Sequence, residues 1–168
     1  MQILVAGVGN VLQGDDGFGV EVARRLAADS LPDGVKVVET GIGGVHLVQE
    51  ILAGFDALVV VDAVDYGRAP GTVLVIEPTV EDIEDMPFME RMDHLADMHY
   101  TKPAKALMLA KALKVLPARS YVVGCQPAEL ERFGRGLSPE VERAVPVAIA
   151  EIKALVGRLL ASGGGDGG

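Results

Sequence analysis

Apolar residues recur along this chain in two rhythms. Short, nearly unbroken runs occupy residues 3–6, 35–39, 57–62 and 120–123, with a fifth at 72–77. Runs of that length, rich in Val and Ile, fit strands buried on both faces. Between them the spacing changes to three and four. Val20, Ala23, Leu26 and Ala27 share a face of a helix predicted to start near Asp16. Val45, Leu47, Val48 and Leu52 mark a second helix, opened by Gly43 and Gly44, while Leu107, Met108, Ala110, Leu113 and Leu116 mark a third. The last helix has Ser138 as N-cap and Pro139 at its first position. Its apolar stripe is Val141, Val145, Ile149, Ile152, Val156 and Leu159, and Pro146 is expected to kink or restart it.

Strands alternating with helices make βαβ units, so the fold class is α/β, with a mainly parallel sheet and helices on both faces. One connection breaks the pattern. Between Val64 and Thr72 only "DYGRAPG" intervenes, too short for a parallel crossover of about a dozen residues. The strand at 72–77 should therefore run antiparallel, at an edge. From Pro78 to Tyr100 the chain is acidic and Met-rich without a strand pattern; a connector this long is often functional. Length sets a single domain, residues 1–160, followed by a flexible Gly-rich tail at 161–168.

Composition sharpens this picture in three ways. Nearly half the residues are apolar but only 4% are aromatic, and Trp is absent, so the core is aliphatic. A formal charge of −9 disfavours nucleic acid and anionic lipid and favours cations or basic segments. The single cysteine, Cys125, rules out an internal disulfide and suggests a reducing compartment, hence a cytoplasmic protein. No apolar stretch approaches the ~20 residues a membrane helix needs. Cys125 follows a buried strand with no adjacent histidine and reads as an inert thiol.

The chemistry concentrates in "ILVAGVGNVLQGDDGFGVEVARRL". Gly7 and Gly9 begin like a dinucleotide loop, but Leu12 stands where the third glycine belongs, and Asp15 and Asp16 stand where a pyrophosphate would sit. Like charges repel, so a cation fits this loop better than a phosphate. In an open α/β sheet ligands gather beyond the carboxyl ends of the strands. The first strand's loop delivers Asp15 and Asp16 there, and the third strand ends at Asp62, with Asp65 shortly after. Carboxylates at a helix start are also stabilised by the helix dipole alone, and an Asp after a strand can be a turn cap. His46 reads as a surface residue. His94 and His99 lie in the long connector, so on one helix they would point about 140° apart and at most one could join the acids. Residue chemistry thus reaches an acidic crevice suited to a metal. There is no G-x-S-x-G elbow and no H-E-x-x-H helix.

Four stretches, "ILVAGVGNVLQGDDGFGVEVARRL", "VVVDAVDYGRAPGTV", "DMHYTKPAKAL" and "YVVGCQPAELERFGRGLSPEV", occur in an order that resembles the nickel-iron hydrogenase maturation endopeptidases over almost the whole chain. The resemblance implies a three-layer α/β/α, phosphorylase/hydrolase-like fold. Its five-stranded mixed sheet would have order 2-1-3-5-4 with strand 4 antiparallel. It implies an endopeptidase that removes the C-terminal extension of the hydrogenase large-subunit precursor after nickel insertion. Asp16, Asp62 and His99 would form the metal-contacting and catalytic trio, with Asp16 replacing a glutamate common in relatives and His94 a lesser candidate. The nickel would be carried by the substrate, with zinc or cadmium able to substitute, and the protein would be a monomer. Two carboxylates and an imidazole suit such borderline ions and leave coordination positions open. The competing readings are a non-catalytic nickel-sensing or chaperone module and a flavodoxin-like nucleotide binder.

Overall fold

The computed structural model describes residues 1–42, 44–83, 86, 87, 89, 90, 103–130, 133, 134 and 136–163. Its centre is a five-stranded sheet in the order β2-β1-β3-β5-β4, built from β1 (Ile3–Val8), β2 (Val35–Gly41), β3 (Ala57–Ala63), β4 (Val73–Ile76) and β5 (Arg119–Cys125). Both neighbours of β1 are parallel to it, β3 and β5 are parallel, and β4 alone runs antiparallel, against β5. The short connector after β3 produces the reversed edge strand that the sequence requires.

Helices α1 (Phe18–Ala27), α2 (Gly44–Ile51), α3 (Pro103–Ala112) and α4 (Pro139–Gly163) cover the two faces. Side-chain alternation assigns the strands' residues to two cores. Ile3, Val5, Val59, Val61 and Val123 pack with α1 and α4, whereas Leu4, Ala6, Leu58, Val60 and Val122 pack with α2 and α3. Every residue of β1 is buried, as are six of the seven in β3, because only the central strands are covered on both sides. The edge strand β2 differs from the doubly buried expectation: Lys36 and Glu39 are exposed and only Thr40 is fully buried.

Three further departures have local causes. The segment before α1 is a turn of 3-10 helix, Gly14–Gly17, so the α-helix begins at Phe18 rather than Asp16. In α2 the buried residues are Leu47, Val48 and Ile51, leaving Val45 and Leu52 in solvent. Helix α4 runs as one element through Pro146. Pro146 faces solvent, where water can take the carbonyl that loses its helical partner. The helix also extends into the Gly-rich end as far as Gly163, with Ser162 accepting a hydrogen bond from Arg119 (2.9 Å). No helix among the described residues is long and apolar enough to cross a membrane.

The strand order sets the site. From β1 the chain moves outward to β2, then crosses back to place β3 on the other side of β1. The connections therefore diverge between β1 and β3, and a crevice opens beyond their carboxyl ends. Helix α1 is held tight beneath it. A Cβ on Gly19 would lie 2.0 Å from the Val61 carbonyl oxygen and 2.3 Å from that of Val8, so only glycine permits this approach.

Candidate active site

Asp16 and Asp62 come together at that divergence, from the loop after β1 and the end of β3. Both line a cavity of 410 Å³ whose walls include Val8, Leu107, Val122 and Leu130. Gly9 lies between them. Its φ of +135° and the 1.8 Å that would separate an added Cβ from the Asp16 carbonyl oxygen exclude any side chain, and Asp62 Oδ1 lies 3.8 Å from the same point. Asp16 Oδ2 accepts a hydrogen bond from the Asn10 amide at 2.9 Å. Asn10 in turn forms an Asx turn, its Oδ1 accepting from the Leu12 amide (3.0 Å).

The electrostatics of this pair are adverse. Burial raises the Asp16 carboxyl above its ordinary range, with the Asn10 amide opposing it. Asp62 is only 6% exposed. Burial pushes its carboxyl well above the usual carboxylate range, the Asp16 charge pushes it further, and the Ala63 amide gives only partial relief. Asp62 is withdrawn from water because it is the penultimate residue of a covered strand.

Asp15, which the sequence groups with Asp16, does not reach the crevice. It is 1% exposed and its carboxylate gathers the loop after β5 and the start of α4. Oδ2 accepts from the Ala128 and Glu129 amides (2.8 and 3.0 Å) and from the Ser138 hydroxyl (3.0 Å), and Oδ1 accepts from the Ser138 amide (2.6 Å). Ser138 is thus more than a helix cap. Its hydroxyl accepts weakly from the Val141 amide (3.4 Å) while donating to Asp15.

The loop after β3 is braced by Gln126, a residue that no local sequence signal singles out. Its Oε1 accepts from the amides of Tyr66 (2.7 Å) and Arg68 (3.1 Å), and its Nε2 donates to Asp65 Oδ1 (3.0 Å). Asp65 also accepts from the Gly67 amide at 3.0 Å; these two donors, Gly67 first, lower its carboxyl below the usual value. It lines the cavity as a turn former rather than a charge partner of Asp62. The Tyr66 ring occupies the space a side chain at Gly124 would need, 2.8 Å from that Cβ position, and Gly124 is paired in register with Asp62. Burial, and then the Asp62 charge, raises the Tyr66 phenol.

His46 is on the exposed face of α2. His94 and His99 lie outside the described residues. Among the described residues no three His, Cys, Asp or Glu side chains form a metal-holding group, so the two carboxylates are an incomplete donor set. Cys125 is fully buried and its thiol is pushed up to about 12, first by burial and then by the Asp15 charge, which leaves it inert at neutral pH. A larger cavity of 570 Å³, lined by Glu77, Lys111 and Arg119 among others, contains no carboxylate pair.

Comparison with known proteins gives one consistent result. The family model for hydrogenase maturation proteases (HycI) matches residues 20–155. The hydrogenase expression/formation protein HupD of Rhodobacter capsulatus is 37% identical over 151 residues, covering 89% of this chain and 69% of its own. HupM of Azotobacter chroococcum mcd 1 is 41% identical over 151 residues, covering 88% and 68%. Among solved structures, the hydrogenase maturating endopeptidase HybD from E. coli superposes with a TM-score of 0.75 at 28% identity, covering 94% of this chain and 93% of that one.

Proposed function

The chain belongs to the hydrogenase maturation proteases, and from that premise we propose that it removes the C-terminal extension from a nickel-iron hydrogenase large-subunit precursor once nickel is in place. In this reading the nickel belongs to the substrate. Asp16, Asp62 and His99 contact it and so distinguish a loaded precursor from an empty one. The observation that carries the proposal is the charge pair itself. Asp16 and Asp62 are driven together in a half-enclosed crevice, each raised by burial and Asp62 also by its neighbour. A divalent cation would reverse that penalty, stabilising both ionised forms at once. His99 supplies the third donor, since no described His, Cys, Asp or Glu completes the pair as a metal-holding group, and three protein ligands leave positions for the substrate's own ligands and for water. Zinc or cadmium, with the same donor preferences, would substitute in solution.

Cleavage needs a water added to the peptide carbonyl and a proton delivered to the departing amine. The substrate's nickel can polarise the carbonyl or the water, or a carboxylate of the pair can accept the water's proton. Burial raises the affinity of both carboxyls for a proton, which favours the second role.

Incubating the protein with purified precursor, with and without nickel, and following the precursor's C-terminus by mass spectrometry tests the proposal. Loss of the extension from the loaded form alone is expected. Equal processing of both forms would remove nickel recognition, and a bound but uncut precursor would make the protein a non-catalytic sensor.

A further inference from the structure

The crevice at Asp16 and Asp62 continues past Gly9. Gly9 and Ile42 line it on one side and, on the other, line a second cavity of 460 Å³ that includes Val11, Leu12, Arg24 and Glu39. We propose that this second cavity is a substrate subsite. It would hold an extended polypeptide segment that crosses Gly9 beside the scissile bond and seats one uncharged, apolar side chain against Val11, Leu12 and Ile42. The inference rests on the endopeptidase reading and adds to it a determinant of sequence preference.

Continuity is the first argument. A bound peptide with its reacting bond at the carboxylates must leave the crevice somewhere, and Gly9, whose Cβ side is taken by the Asp16 carbonyl oxygen, lines both cavities. The wall goes on into Gly41, whose carbonyl accepts from the Gly9 amide at 3.0 Å. Gly41 has φ of +59°, and a Cβ built on it would meet no described atom within 4 Å. At Gly41, therefore, bare backbone lies beside the path, where a second backbone can approach closely.

The second argument is the kind of surface presented there. Val11, Leu12 and Ile42 are 48, 63 and 53% exposed, although the chain has two cores in which such side chains could be buried. The loop bearing Val11 and Leu12 is fixed. Leu12 donates its amide to Asn10 and accepts from the Gly134 amide (3.1 Å), and Gln13 forms an antiparallel bridge with Phe133. Apolar groups pinned in solvent beside a reactive site have the form of a binding surface. The third argument concerns charge. Arg24 and Glu39, both on the cavity wall, pair with each other at 3.1 Å. Their charges are paired, Arg24 also with Glu21 (3.4 Å), so an ionic side chain of the substrate would gain little from them to offset its lost hydration; His46 is the remaining titratable group on that wall.

Cleavage of nickel-loaded precursor tests the subsite. Wild-type protein sets the baseline, and failure to cut at that stage would count against the endopeptidase reading. Leu12→Glu should raise KM for the precursor at least tenfold while leaving kcat within about twofold. Val147→Glu, on α4 and also open, at 50% exposure, should change neither. A set of precursors bearing Asp at single positions around the cut should contain one that wild type cleaves poorly and Leu12→Lys restores. Thermal melts of the variants should match wild type. An unchanged KM in Leu12→Glu, an equal rise in Val147→Glu, or the lack of any position rescued by Leu12→Lys would overturn the proposal.

Discussion

Asp15 and Asp62 are both withdrawn from water, at 1% and 6% exposure, yet their surroundings treat the charge in opposite ways. Around Asp15 the chain supplies three backbone amides and a hydroxyl, all within 3.0 Å. Around Asp62 it supplies the Ala63 amide and a second carboxylate, Asp16. The first is a structural tie that fastens the loop after β5 and the start of α4 to the loop after β1. The second is a buried carboxyl at the end of a central strand that the described residues oppose with a like charge and relieve with one amide, an arrangement retained at a cost. Burial alone does not separate a structural acid from a candidate functional one in this protein; hydrogen-bond satisfaction does.

The comparison breaks most visibly at Asp15. Asp15→Ala would leave the buried Ser138 amide and hydroxyl, and the half-buried Ala128 and Glu129 amides, without their acceptor, and should cost about 3–5 kcal/mol of stability. Chemical denaturation would measure it, and a loss below about 1 kcal/mol would mean that water replaces the carboxylate there.

Asp62→Asn should move stability the other way, by about +1–3 kcal/mol at neutral pH, because it keeps the shape and removes a buried carboxylate beside a like charge. The pH dependence follows from the raised carboxyl. A group whose folded value lies above its unfolded one contributes stability that is fully present below the unfolded value, near 3.8 here. That contribution is lost as pH rises through the higher folded value. The advantage of Asp62→Asn should thus be greatest at neutral pH and vanish towards pH 4, as melting temperatures across that window would show. A constant difference would point to packing rather than charge.

A smaller effect is expected behind the pair. Gln126→Ala removes the acceptor for the Tyr66 and Arg68 amides and the donor to Asp65, and should cost about 1–2 kcal/mol. Faster amide exchange should be confined to the loop between β3 and β4. The smallest effect belongs to Cys125. Buried and held protonated, it should resist alkylation in the native state, and processing should survive thiol reagents; rapid labelling would contradict both.

Much of this architecture is legible in the amino-acid sequence, because strand-like runs, helical spacing and one short connector each obey local rules. The antiparallel β4 follows from a connector too short for a crossover, and Asp62 stands out as an acid closing an apolar run. Asp15 and Asp16 cannot be told apart in that way. They are neighbours in a turn whose 3-10 geometry sends one inward and one to the crevice, and the partners of Asp15 lie 113 to 123 positions away. Gln126 is invisible to local rules for the same reason, since its role arises only when the loops after β3 and β5 meet. Pro146 is an exception because the rule against interior proline presumes a carbonyl without water, whereas that face of α4 is wet.

The central claim is that the protein keeps two carboxylates together in a buried crevice for the sake of its reaction. Asp62→Asn, refolded and checked by its melting temperature, should therefore be at least as stable as wild type yet leave nickel-loaded precursor uncut over a time in which wild type shortens it completely. Removal of the extension by that variant at the wild-type rate would contradict the account.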